Sequence, residues 1–110
     1  MLRGEIWWGV YPNDRSGKTR PLLIVSNDAI NKSNGQDIVV VKVTSLMKSD
    51  GSQRYVNQYY DVIVQLKNPS VIQTAAIYTT LKKNLRSLLS TITSVELSQV
   101  DRGLKNSLDL

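Results

Sequence analysis

The run from Asp37 to Thr44 reads Asp-Ile-Val-Val-Val-Lys-Val-Thr, and it limits the fold more than any other segment. β-Branched side chains lose rotamer freedom in a helix and sit well on a pleated surface, so this is a strand. Its valines run on where a half-exposed strand would alternate with polar residues, which predicts burial on both faces. A strand of that kind needs neighbours and cover on two sides, and the chain supplies them. Ile6-Trp7-Trp8-Gly9-Val10 reads as a first strand and Leu22 to Ser26 as a second, with Pro21 pushing Arg20 toward extended geometry. Tyr59 to Leu66 and Ser70 to Thr79 read as later strands separated by Asn68-Pro69. Tyr11 to Thr19 is a surface loop and Asn27 to Gln36 a turn region. Ser45 to Asn57 is a polar loop with a hairpin turn at Asp50-Gly51. The spacing of Leu81 to Leu89 predicts a helical turn or short helix, with Lys82, Lys83 and Arg86 along one side.

The C-terminus carries the clearest helix. Thr93 and Glu96 form a capping box, and Ile92 and Leu97 occupy the staple positions around it. Leu97, Val100, Leu104 and Leu108 then trace one face, with Gly103 expected to cost about 1 kcal/mol relative to alanine. The expected architecture is a single mostly β domain over residues 1–110: a small antiparallel β-barrel with a short helix and a C-terminal α-helix.

Composition narrows the chemistry. The 110 residues include no cysteine and no histidine, which removes thiolate metal sites, disulfides and the commonest acid–base group. The acids are scattered along the chain, so no metal-ligand set is expected. No serine lies in a nucleophile elbow, and Asn34-Gly35-Gln36-Asp37 has neither the length nor the lysine of a phosphate-binding loop. No apolar run approaches the roughly 20 residues of a membrane span. The N-terminus has Glu5 where a signal peptide is apolar, so a cytoplasmic location is expected.

Lys and Arg number 14 against 9 Asp and Glu, a net charge of +5 that leans toward polyanionic partners. Arginine and hydroxyl chemistry remain. Arg20 stands where a polar loop enters a buried strand, and Thr44-Ser45 where the valine-rich strand leaves the core. Each reads either as an ordinary strand-end residue or as a phosphate contact.

Several segments together resemble the MazF/PemK family of toxin endoribonucleases. They are Arg3-Gly4-Glu5-Ile6-Trp7-Trp8; Arg20-Pro21-Leu22-Leu23-Ile24-Val25-Ser26-Asn27-Asp28; Ile38 to Ser45 ending in Val43-Thr44-Ser45; Ser70-Val71-Ile72 with Thr79, Lys82 and Leu85; and Ser94-Val95-Glu96-Leu97 through Leu108. The match spans nearly the whole chain, and the Arg-Pro segment is its most specific part.

The resemblance implies an SH3-like barrel that forms a homodimer and cuts single-stranded RNA by 2′-hydroxyl attack, without a metal or other cofactor. It also implies control by a cognate, MazE-like antitoxin whose tail fills the RNA groove. Arg20 and Thr44 match the family's catalytic pair. Asn13, Arg15 and Lys18, in the loop over the RNA, and Ser45 and Ser70 are the implied RNA contacts. Tyr55, Tyr59 and Tyr60 read as half-buried strand residues or as stacking faces for bases.

The chain departs from the family where many relatives carry an acid, a Gln and, two positions on, an Arg. Here those positions are Ala75, Ala76 and Tyr78, Leu81-Lys82 alters a later acid–Lys pattern, and Asn84 stands for an Arg. Roles tied to those positions are not carried over. Two other readings use the same scaffold: an RNA binder with little or no turnover, and a toxin that acts on a protein such as gyrase. A structural or peptide-binding barrel is a third.

Overall fold

The computed structural model describes residues 1–110. In chain order the elements are β1 (Glu5–Gly9), β2 (Arg20–Ile24), α1 (Asp28–Lys32), β3 (Asp37–Ser45), β4 (Asp61–Gln65) and β5 (Pro69–Leu81). A 3₁₀ turn (Lys82–Asn84), β6 (Leu85–Thr91) and α2 (Ser94–Leu108) complete the chain. The strands form one antiparallel sheet in the order β4-β5-β3-β2-β1-β6. This is the expected mostly β architecture, with the two edge strands left unpaired with each other.

The valine-rich strand is central, and both its faces are covered. Val41 and Val43 point into a core shared with Ile6, Leu23, Val62, Val64, Ile72 and, from α2, Val100. That core collects residues from five strands, so the sheet curls around it. The alternate residues Ile38 and Val40 join Leu22, Ile24 and Leu85 in a second core, over which Trp7, Tyr11 and Tyr78 pack. Each fully buried aliphatic side chain contributes roughly 1.5–3 kcal/mol, so the two cores fix the strand register firmly.

Two segments differ from the sequence expectation. Leu85–Thr91 is a strand paired with β1, and only Lys82–Asn84 is helical. Register shifts between Ile6 and Trp7 and between Trp8 and Gly9 interrupt the pairing. The bulges destroy two-residue alternation in β6, and the spacing of Leu85, Leu88 and Leu89 then imitates a helical face.

Within the expected turn region Asn27–Gln36 lies α1. Its five residues are too few to show periodicity and are held by specific hydrogen bonds. The Asn27 side chain caps it by accepting from the Ile30 amide at 2.9 Å. Lys82 Nζ donates to the carbonyls of Ile30 (3.0 Å) and Ser33 (2.8 Å) at its far end. The Asp50-Gly51 turn forms as expected, with Gly51 at φ +86° and a bridge between Met47 and Gln53.

β5 carries an irregularity that matters for packing. Opposite the step from Lys42 to Val41, its register jumps from Gln73 to Ile77, so Thr74, Ala75 and Ala76 bulge out of the ladder. Thr74 is fully buried there, and its hydroxyl donates to the Tyr60 carbonyl at 2.6 Å. The bulge meets α2 at Gly103.

The helix itself matches expectation, with both capping-box bonds formed: Thr93 Oγ1 accepts from the Glu96 amide at 3.1 Å and Glu96 Oε1 from the Thr93 amide at 2.8 Å. Gly103, however, is required by the packing. A Cβ at this position would lie 2.7 Å from Thr74 Oγ1 and 2.9 Å from the Tyr60 carbonyl oxygen. Gly103→Ala is therefore expected to destabilise the protein by about 1–3 kcal/mol, read from the urea unfolding midpoint. Helix propensity alone predicts a gain of about 1 kcal/mol, and a gain would refute the packing role.

Candidate active site

The β2–β3 ladder pairs Leu22 with Lys42, Leu23 with Val41 and Ile24 with Val40. Extending this register by two residues brings Arg20 opposite Thr44. The ladder itself ends at Leu22 and Lys42; beyond it, alternation keeps Arg20 on the face of Leu22 and Thr44 on the face of Lys42. Lys42, two residues before Thr44, projects to that face as well. The face that buries Ile38 and Val40 deeper in the sheet thus ends, toward solvent, in a lysine, a threonine and the facing arginine.

Two surface depressions meet at this spot, and Tyr11, Arg20, Lys42 and Thr44 line both. One, of about 340 Å³, continues past Ser45, Ser70 and the β4–β5 turn to Trp8 and Leu89. The other continues to Pro12, Asp14, Arg54 and Tyr78. Together they make a groove across the end of the sheet.

Its charge is one-sided. Arg20, Lys42, Arg54 and Lys67 contribute to its walls, against one carboxylate, Asp14. The ion pairs of the chain are the Met1 amine with Glu5 and Arg3 with Asp101, and neither involves a groove residue. Asp14 is engaged locally: its carboxylate accepts from the Ser16 hydroxyl (2.7 Å) and amide (3.0 Å). Those bonds, the hydroxyl's first, with the charges of Arg20 and Lys18 assisting, hold its pKa below the usual carboxylate value. Asp14 thus orders its own loop, and no groove cation is held in an ion pair. Nowhere in the chain do three or more acidic side chains come together.

Of the residues singled out in the sequence, Arg20, Thr44, Ser45 and Ser70 converge on the groove. Ser70 is nearly buried and donates its hydroxyl to the Asn68 carbonyl at 3.0 Å, which commits that proton to the turn. Asn13, Arg15 and Lys18 are exposed on the loop between β1 and β2 and do not line the groove. Asn13 adopts φ +63°, a left-handed turn conformation. Lys82 is occupied with α1, and neither Lys83 nor Arg86 lines the groove. Tyr59 and Tyr60 belong to a separate hollow between β4 and α2. At the family positions that differ, Ala75 and Ala76 lie in the β5 bulge and Tyr78 lines the groove.

Lys42, Arg54 and Tyr11 were not singled out. Two-residue alternation with Thr44 marks Lys42 in the sequence. Arg54 has no such mark: it reaches the groove because its Nε donates to the Ser45 carbonyl at 3.1 Å across the Ser45–Asn57 loop. Tyr11 stacks at a tilt on Tyr78, with ring centroids 5.1 Å apart. Its hydroxyl is buried and finds no partner within the chain.

Burial, with the adjacent Tyr78 adding to it and Arg20 opposing it, pushes the Tyr11 pKa up from 10.0 to about 12. The folded protein then holds this proton more tightly than the unfolded chain. That contribution to stability is intact below pH 10 and is lost as pH rises through about 12. Tyr11→Phe is expected to leave stability at pH 7 unchanged or higher and to flatten the loss between pH 10 and 12, measured by urea midpoints across that range. A wild-type slope in the variant would contradict this.

A family profile described as "PemK-like, MazF-like toxin of type II toxin-antitoxin system" matches residues 2–108. Endoribonuclease MazF6 of Mycobacterium tuberculosis is 29% identical over 117 residues, covering 100% of this chain and 98% of the relative. A mycobacterial structure described as an endoribonuclease in complex with its cognate antitoxin superposes with a TM-score of 0.76 at 24% identity, covering 100% of this chain and 96% of that one. A MazE-MazF structure from Deinococcus radiodurans gives a TM-score of 0.72 at 20% identity, with 99% and 95% covered. At these identities the superpositions speak to the fold, and the profile, running almost end to end, speaks to the family. This chain belongs to the PemK-like, MazF-like toxin family of type II toxin–antitoxin systems.

Proposed function

We propose that this toxin is an endoribonuclease that cleaves single-stranded RNA by attack of a 2′-hydroxyl on the adjacent phosphodiester, without a metal. The observation that supports the reading is that Arg20 and Thr44, at the ends of neighbouring strands, line one predominantly cationic groove. The attacking oxygen bonds to phosphorus, the bond to the 5′-oxygen breaks, and the products end in a 2′,3′-cyclic phosphate and a 5′-hydroxyl. Negative charge on the non-bridging oxygens grows on the way to the crowded transition state. A guanidinium at that phosphate favours that state over the ground state, and its paired N–H groups suit two phosphate oxygens. Thr44 holds the phosphate or the attacking hydroxyl in line, which supplies the positioning share of the rate.

Arg54 and Lys67 extend the phosphate-binding surface, while Ser45 and the loop residues Asn13, Arg15 and Lys18 contact the flanking RNA. Groove aromatics such as Trp8 offer faces to unpaired bases. The same positive groove suits the acidic tail of a cognate, MazE-like antitoxin, which silences the enzyme by occupying the RNA path. The enzyme works in the cytoplasm, where mRNA is found, as a homodimer with two such sites. No helix of the chain is long and apolar enough to cross a membrane.

Purified protein is expected to cut RNA in excess EDTA and leave cyclic-phosphate and 5′-hydroxyl ends, with Arg20→Ala slower by about 10²–10³-fold. Cleavage that EDTA abolishes, or that survives Arg20→Ala unchanged, would overturn the mechanism. Salt-sensitive RNA binding with no cleavage would favour the RNA-binding alternative. Intact RNA with stalled supercoiling would favour a gyrase-directed toxin.

A further inference from the structure

The arginine–threonine pair leaves one half of the reaction without a group to perform it. When the bond to the 5′-oxygen breaks, the electron pair stays on an alkoxide that must gain a proton. A guanidinium, which stays charged in proteins, is a poor donor near neutral pH, and a threonine hydroxyl is poorer still. The Tyr11 phenol, driven up to about 12 by burial, is no better matched. An ammonium group gives up its proton more readily than a delocalised guanidinium.

Lys42 carries such a group into the groove. It interrupts the valine-rich strand between Val41 and Val43, which are 0% and 2% exposed, and is itself half-buried. A lysine so placed loses hydration, and a structural lysine would recover it through a carboxylate. Lys42 has no such partner: both ion pairs of the chain lie elsewhere. Instead it lines both depressions together with Arg20 and Thr44. It lies one pleat period from Thr44, roughly 7 Å along the strand, and diagonal to Arg20. That separation suits three groups around one phosphate, with Arg20 and Thr44 on the phosphoryl oxygens and the lysine beside the departing oxygen.

We propose that Lys42 is the general acid of this site, donating its ammonium proton to the 5′-oxygen as it leaves. The 2′-oxygen–phosphorus bond forms and its hydroxyl proton passes to water. The phosphorus–5′-oxygen bond breaks, and the Lys42 proton completes the new 5′-hydroxyl. The neutral amine then takes a proton from water. This assignment rests on the endoribonuclease reading.

The test compares two RNA oligonucleotides built around a mapped cleavage site, one natural and one with sulfur in place of the 5′-bridging oxygen. A thiolate leaves without a proton, so the sulfur substrate bypasses a general acid. Lys42→Ala is expected to cut the natural oligonucleotide about 10²–10⁴-fold more slowly in kcat and the sulfur one within about tenfold of wild type. Lys42→Arg, which keeps the charge, is expected to be slow on the natural substrate alone. Arg20→Ala is expected to be slow on both.

Activity on the sulfur substrate also shows that the two Lys42 variants are folded. Equal losses on both substrates for Lys42→Ala, or full natural activity in Lys42→Arg, would overturn the assignment of Lys42 and leave the endoribonuclease reading standing. Wild-type protein that cleaves neither substrate would overturn both.

Discussion

The register between β2 and β3 is the constraint on which the rest of the molecule depends. With Leu23 paired to Val41 and Leu22 to Lys42, alternate residues of β3 fall on opposite faces of the sheet. Val41 and Val43 go beneath α2, while Ile38 and Val40 go into the second core. A slip of one residue would drive Lys42 and Thr44 among Leu23, Ile72 and Val100 and put valines in the groove. Buried charge and unpaired hydroxyls make that arrangement costly by several kcal/mol, so hydrophobic packing itself holds the polar residues in place. Beyond its last pair the same alternation keeps Arg20 and Thr44 on one face, where both line the groove. The candidate site lies where an apolar strand face runs out of core.

Other features support that face or keep it accessible. The β5 bulge at Thr74–Ala76 turns the long strand at the height of Lys42 and presents Thr74 to α2, where the lack of a side chain at Gly103 permits the contact. Arg3 ties the N-terminus to the helix through its ion pair with Asp101, and its Nε donates to the Val25 carbonyl at 3.0 Å. These interactions consume charge away from the groove. Arg20, Lys42 and Arg54 keep theirs, which is the division expected where stability and polyanion binding draw on one small set of side chains.

Much of this was legible in the residues, and the exceptions have physical causes. The valine-rich strand, the Arg-Pro strand and the capped C-terminal helix each announce themselves through β-branching, proline geometry or a capping box, and each forms. Arg20 and Thr44 stand out because they flank apolar runs, one where a strand begins and one where a strand ends. Strand β6 was hidden because its bulges gave its leucines helical spacing. Helix α1 was hidden because tertiary hydrogen bonds from Lys82 hold it in place of periodicity. Arg54 reaches the groove through a contact across a loop, which local sequence does not encode. Lys42 was encoded by alternation with Thr44, yet a strand read as buried on both faces left no obvious place for it. Gly103 looked like a flaw in a helix and proves to be a packing requirement, because its neighbour Thr74 is distant in sequence.

The central claim is that one strand register makes Arg20 and Thr44 act on a single phosphate, and a double-mutant cycle on the cleavage step tests it most directly. Single-turnover rates would be measured for wild type, Arg20→Ala, Thr44→Ala and the double variant, all on one RNA. If the two side chains work as a unit, the double variant is little slower than the slower single variant, a strongly non-additive result. Losses that multiply, each variant slowing the reaction independently, would contradict the account.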